Sequence, residues 1–225
     1  MGDHRYFTKE TFRFLRDLKE NNDRAWFAEN KARYERELKV PALHLIEDFG
    51  PELKELSPHF KATPRSLFRI YRDVRFSKDK SPFKTAAGIH FRHDRSKDAH
   101  APGFYLHVEP DNVFLGVGIW RPGGDALRAI RERIVEKPDA WRKVSRADDF
   151  TATFELAGDS LKRGPRDFDH DHPLIDDLKR KDFVGVQEVP ESFATREDLP
   201  AALADRYRHA APFMAFLCAA LDVPY

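Results

Sequence analysis

The chain has 225 residues, 41% hydrophobic and 12% aromatic, and its 34% of charged residues balance to a net charge of +1. That length supports one large domain or two small ones around a substantial core, while the near-zero charge excludes a general nucleic-acid coat. No apolar run approaches the ~18–20 residues of a transmembrane helix, the N-terminus lacks a signal-peptide core, and the one cysteine excludes an intrachain disulfide. A soluble, cytoplasmic protein with no membrane partner is the expectation.

Residues 1–58 form a helical segment in this reading. Thr8 is placed to cap a first helix, with Phe7 and Phe12 as a hydrophobic staple, and Asn21-Asn22 interrupts it. Asp23 caps a second, carrying Trp26, Phe27, Tyr34 and Leu38. Pro41 opens a third, which ends at Gly50-Pro51 or continues to Leu56. Leu67 to Tyr71 fits a strand or a short amphipathic helix; a short strand running into an irregular loop is favoured.

Residues 86–93, 103–109 and 113–120 alternate at period two and predict an antiparallel sheet. One face takes Ile89, Phe91, Phe104, Leu106, Val108, Val113, Leu115, Val117 and Ile119. The other takes Gly88, His90, Arg92, Tyr105, His107, Glu109, Phe114, Gly116, Gly118 and Trp120. Keeping both apolar sets together requires an even-numbered loop. A four-residue turn, 110–113, meets this and sets Gly116 opposite His107 and Gly118 opposite Tyr105. Strand glycines here mean close approach of a ligand to the backbone, a tightly packed helix, or a bulge.

Residues 123–225 supply helices and one further strand. Asp125 begins a helix stopped by Pro138, a shorter one carries Trp141 and Val144, and 183–189 reads as the strand. Thr195 caps a last helical region that Pro212 splits. Cys218 lies in an apolar helical pattern and reads as a small buried hydrophobe, not a nucleophile. The fold class is α+β: a central antiparallel sheet packed by N-terminal and C-terminal helices, as a single domain.

Chemistry is sought first between Arg65 and Thr85. Seven cations (Arg65, Arg69, Arg72, Arg75, Lys78, Lys80, Lys84) face two acids, Asp73 and Asp79, with Phe68, Tyr71, Phe76 and Phe83 interleaved. Packed cations repel unless an anion or folded acidic groups relieve them, and the arginine fork matches phosphate or carboxylate. Salt bridges to Asp73, Asp79 and the acidic helices are the structural alternative. In the ligand reading Arg69, Arg72, Arg75, Lys80 and Lys84 hold a phosphorylated or otherwise anionic small molecule. Tyr105 and Trp120 line the neighbouring pocket, His107 and Glu109 do acid–base work, and Lys162 and Arg166 close it. Clustered cations with aromatics also suit a nucleic-acid-binding module or nuclease, and a salt-bridged interaction scaffold is a third possibility.

Between Lys162 and Lys181 the run DFDHDHPLIDD resembles a calcium loop only in its first aspartates. Its sixth position is His172 and its twelfth Leu178, so that reading fails. A transition-metal site at His170 and His172 competes with a helix cap before Pro173, and the cap is favoured, so no metal site is assigned. Phosphate loops, Rossmann fingerprints, nucleophile elbows and zinc spacings are absent, and the sequence identifies no cofactor, reaction or oligomeric state.

The strings SLFRIYRDVRFSKDKSPFKT, APGFYLHVEP, GVGIWRP and LKRGPRDFDHDHPLIDDLKRKDF resemble a bacterial and fungal family, domain of unknown function 2461, and the resemblance spans the chain from Phe12 to Leu221. It implies one family-defining unit with the basic–aromatic string as its signature, and it implies no activity.

Overall fold

A computed structural model describes residues 5–75, 77–95 and 101–225; Phe76 of the basic stretch lies outside them. Thr8 accepts from the Glu10 amide and caps α1 (Lys9–Glu20), and Asp23 accepts from Ala25 and Trp26 at the start of α2 (Arg24–Glu29). Helix α3 (Lys31–Tyr34) passes through a wide π turn, Glu35–Lys39, into α4 (Val40–Leu56). Helix α4 runs through Gly50-Pro51 because its buried stripe of Leu45, Ile46, Phe49 and Leu53 continues past them. Burial of that stripe outweighs the one hydrogen bond a proline removes.

Six antiparallel strands follow: β1 (Phe60–Lys61), β2 (Ala87–His93), β3 (Gly103–Glu109), β4 (Asn112–Ile119), β5 (Glu155–Ala157) and β6 (Phe183–Val189). They lie in the order β1-β2-β3-β4-β6-β5. The period-two block gives β2, β3 and β4; β1 and β5 are too short to show a period. Residues 67–74 form neither a helix nor a continuous strand, but make isolated bridges, Leu67↔Ile89 and Tyr71↔Phe83.

The β3–β4 turn is shorter than expected. Glu109 pairs with Asn112, so the loop is Pro110-Asp111 alone, and Gly116 faces Tyr105 while Gly118 faces Gly103. Pro110 presets the second turn position and Asp111 takes the left-handed backbone, φ 61°, at the third. Two residues satisfy the same parity as four, so the faces are as expected although the register moves by two.

After β4 come α5 (Gly124–Glu136), α6 (Pro138–Ser145) and α7 (Asp148–Thr151), then α8 (Ile175–Leu178) ahead of β6. Helices α9 (Glu191–Ala194), α10 (Leu199–Arg208) and α11 (Ala211–Ala220) complete the described elements. Thr195 ends α9 rather than capping the final region: the chain turns there, and α10 starts after Asp198 with Pro200 in its first turn.

The apolar sheet face is covered by helices from both ends of the chain. Phe49 of α4 meets Phe91 at 4.7 Å between ring centroids, Tyr207 of α10 meets Phe104 at 5.0 Å, and Trp141 of α6 meets Phe183 at 5.7 Å. The Tyr207 hydroxyl donates to the Tyr105 carbonyl at 2.8 Å and so ties the helical layer to β3. Among the described residues no helix is long and apolar enough to cross a membrane.

Candidate functional site

The opposite face of the sheet holds a cup of ≈ 490 Å³. Its rings are Phe68, Tyr105, Phe114 and Trp120, its histidines His90 and His107, and Val184 and Val186 of β6 close one side. Phe68 is brought over the sheet because its amide donates to Gly88 O at 2.9 Å, which holds the 67–71 segment along β2.

Glycines shape this cup for different reasons. A Cβ at Gly118, whose φ is +115°, would stand 2.1 Å from the Phe183 carbonyl oxygen, so β6 itself needs that glycine. At Gly103 a Cβ would meet His90 Nε2 at 2.1 Å, and at Gly88 the Tyr105 hydroxyl at 2.6 Å. Gly116 differs. A Cβ there meets only Tyr105, at an ordinary 3.4 Å, so this glycine leaves floor space and not a required close approach.

Alternate residues of β3 carry the polar groups. The Tyr105 hydroxyl lies 3.0 Å from His107 Nδ1, and His107 Nε2 lies 3.3 Å from Glu109 Oε2. Thr85 donates to Glu109 Oε1 at 2.7 Å, and Asn112 donates to Oε2 at 3.3 Å. His107 also stacks on Phe114, its cross-strand partner, at 4.6 Å. Burial holds the imidazole below its ordinary pKa against the pull of Glu109. Burial would raise Glu109, but hydrogen bonds from Thr85, His107 and Asn112 outweigh it and the carboxyl titrates below its ordinary value. Burial, with Glu109 nearby, pushes Tyr105 up to about 12. A neutral phenol, a neutral imidazole and a carboxylate therefore stand in line at neutral pH.

The basic stretch divides. Arg72 pairs with Asp79 and donates to Ser81 at 2.7 Å; Arg75 pairs with Asp73 at 2.6 Å; Lys80 donates to the Val74 carbonyl at 2.9 Å. These three are engaged within their own loop. Lys84 instead lies over the Phe68 ring at 5.3 Å. Burial, and then the charge of Arg69, lower the Lys84 pKa. Among the described residues neither Lys84 nor Arg69 forms an ion pair. Trp120 is at the cup, with the Arg121 guanidinium 4.6 Å above its ring. Lys162 and Arg166 are exposed on the 158–182 excursion; neither they nor Lys84 and Arg69 are among the residues lining the cup, but Lys84 reaches its rim through Phe68.

Sequence reasoning missed a second polar cluster. His59, His93 and Asp94 bring three potential ligand atoms within 4.8 Å of one another. The His93 ring is already engaged: Arg95 N–H donates to Nδ1 at 3.1 Å, and Nε2 bonds the Pro224 carbonyl at 2.8 Å. That ring ties β2 to the end of the chain, which offers a metal no vacant nitrogen. His172 uses Nδ1 locally, accepting from Leu174 N at 3.1 Å in the turn ahead of α8.

A family model described as a conserved hypothetical protein, DUF2461, matches residues 10–216. The chain belongs to that family. No curated protein and no solved structure matches it. The DUF2461 match takes in every strand of the sheet and every residue lining the cup.

Proposed function

We propose that the cup binds a small organic molecule with a flat apolar body and an anionic group, the body lying on Gly116 among the rings and the anion at the Phe68 rim, toward Lys84 and Arg69. The observation that carries this reading is the contrast within the basic stretch. Arg72 and Arg75 have carboxylates of their own, whereas half-buried Lys84 stands beside Phe68 and a second cation with no carboxylate at ion-pair distance among the described residues. An aromatic concavity of a few hundred Å³ with a few converging polar groups is the usual form of a small-molecule site.

A nucleic-acid reading draws on Arg72, Arg75 and Phe76. With both arginines turned onto Asp79 and Asp73, the small-molecule reading has the stronger support.

Calorimetric titration with naphthalene-2-sulfonate, 1-naphthyl phosphate and inorganic phosphate tests the proposal. Both aryl anions should bind, and inorganic phosphate far more weakly. Gly116→Leu, which fills the floor, should abolish aryl binding; Lys84→Ala should weaken it several-fold, and Arg72→Ala should leave it as it was. Aryl binding that persists in Gly116→Leu, or that fails in the unmodified protein, overturns the proposal.

A further inference from the structure

The direction of the hydrogen bonds along β3 can be worked out from one end. Glu109 is ionised at neutral pH, so both its oxygens accept: Oε1 from the Thr85 hydroxyl and Oε2 from His107 Nε2. A neutral imidazole that donates from Nε2 has a lone pair on Nδ1. The partner of Nδ1, 3.0 Å away, is the Tyr105 hydroxyl, which must then donate its proton to it. The phenol's single proton is thereby committed to His107, and the oxygen of this cup-lining residue is left with acceptor capacity only.

We infer that Tyr105 is a specificity-determining residue, selecting ligands that present an O–H or N–H donor to its hydroxyl oxygen. This rests on the small-molecule reading of the cup and names the ligand class more narrowly, as a hydroxylated or aminated aryl anion. His107 and Glu109 are positioning residues in this arrangement: they hold the phenol proton away from the ligand. A ligand offering an ether or carbonyl oxygen at this point would set lone pair against lone pair and leave the Tyr105 oxygen without a donor. A site built to hydrogen-bond a ligand hydroxyl discriminates against analogues lacking it, because its own polar group is left unpaired.

The test compares naphthalene-2-sulfonate with its 4-, 6- and 7-hydroxy derivatives and with the corresponding methyl ethers, by calorimetry at pH 7.5. At least one hydroxy isomer should bind about three- to ten-fold tighter than the parent, and its methyl ether more weakly than the parent. In Tyr105→Phe, with folding verified by its thermal transition, the hydroxy-to-parent ratio should collapse to near one. The outcomes separate the two claims. If the sulfonates bind but hydroxyl and methoxyl make no difference, or the preference survives Tyr105→Phe, the role of Tyr105 is refuted and the small-molecule reading stands. If none of the sulfonates binds, both are refuted.

Discussion

Two glycines of one strand, two residues apart and on the same face, should respond oppositely to the same substitution. At Gly116 the backbone has no positive φ, and a Cβ would meet Tyr105 Cβ at 3.4 Å, an ordinary contact. Glycine inside a strand costs roughly 0.5–1 kcal/mol relative to alanine through unfolded-chain entropy. Gly116→Ala should therefore stabilise the fold, or leave it unchanged, by up to about 1 kcal/mol. At Gly118 the backbone sits at φ +115°, and a Cβ would overlap the Phe183 carbonyl oxygen at 2.1 Å. Holding a non-glycine residue in such a region costs of order 1–3 kcal/mol, and displacing a strand to make room adds roughly 1–3 kcal/mol. Gly118→Ala should then destabilise by about 2 kcal/mol or more. Urea unfolding followed by tryptophan fluorescence, with m values held equal, gives both numbers. Comparable losses at the two positions would refute the distinction, because Gly116 would then be needed for packing and not for floor space.

Three further outcomes are expected. His107 titrates below its ordinary 6.5 when folded, because burial outweighs Glu109; the unfolded chain therefore takes up its proton first as pH falls. Wild-type stability relative to His107→Phe should decline on acidification through that ordinary value, and a pH-independent difference between pH 5 and 7.5 would contradict this. The Cys218 thiol, buried and pushed up to about 12, should resist a disulfide reagent in the native protein and label only at the rate of unfolding; prompt labelling would contradict its burial. Tyr207→Phe removes the hydrogen bond to the Tyr105 carbonyl and should cost about 1 kcal/mol in urea unfolding, while an unchanged midpoint would leave that bond without weight.

The sheet was legible because its strands have one face toward helices and one toward the cup, so Ile89, Phe91, Leu106 and Leu115 alternate cleanly with His90, Tyr105, His107 and Gly116. Side-chain period two reports faces and not register, and loops of two and four residues share a parity; the Pro110-Asp111 turn could be separated from 110–113 only by noticing that Pro-Asp suits the two central positions of a turn. Strands β1 and β5, of two and three residues, are made by pairing with β2 and β6 and have no pattern of their own. Helix α4 passes Pro51 for a tertiary reason, the burial of Leu53, that local propensity cannot register.

The candidate site was legible in its polar row and obscure in its cations. Tyr105, His107 and Glu109 are two residues apart on a strand, so their sharing a face follows from geometry. Their bonding to one another does not follow from the backbone spacing of ~6.5–7 Å; it needs side chains leaning along the strand, which Thr85 and Asn112 secure by fixing Glu109. Counting charge between Arg65 and Thr85 treats all seven cations alike, yet folding sorts them by what lies within a few ångströms. Asp73 takes Arg75 two residues on, and Asp79 takes Arg72 seven residues back, across the turn closed by the Arg72 N to Pro82 O bond. Lys84 escapes this sorting because Tyr71 pairs with Phe83 and the Lys84 amide with the Ile70 carbonyl, which sets the Lys84 side chain over Phe68 and at ion-pair distance from neither aspartate. A net charge of +5 in a loop therefore says less about ligand binding than the position of Lys84, a half-buried cation that forms no ion pair with the loop's own acids among the described residues.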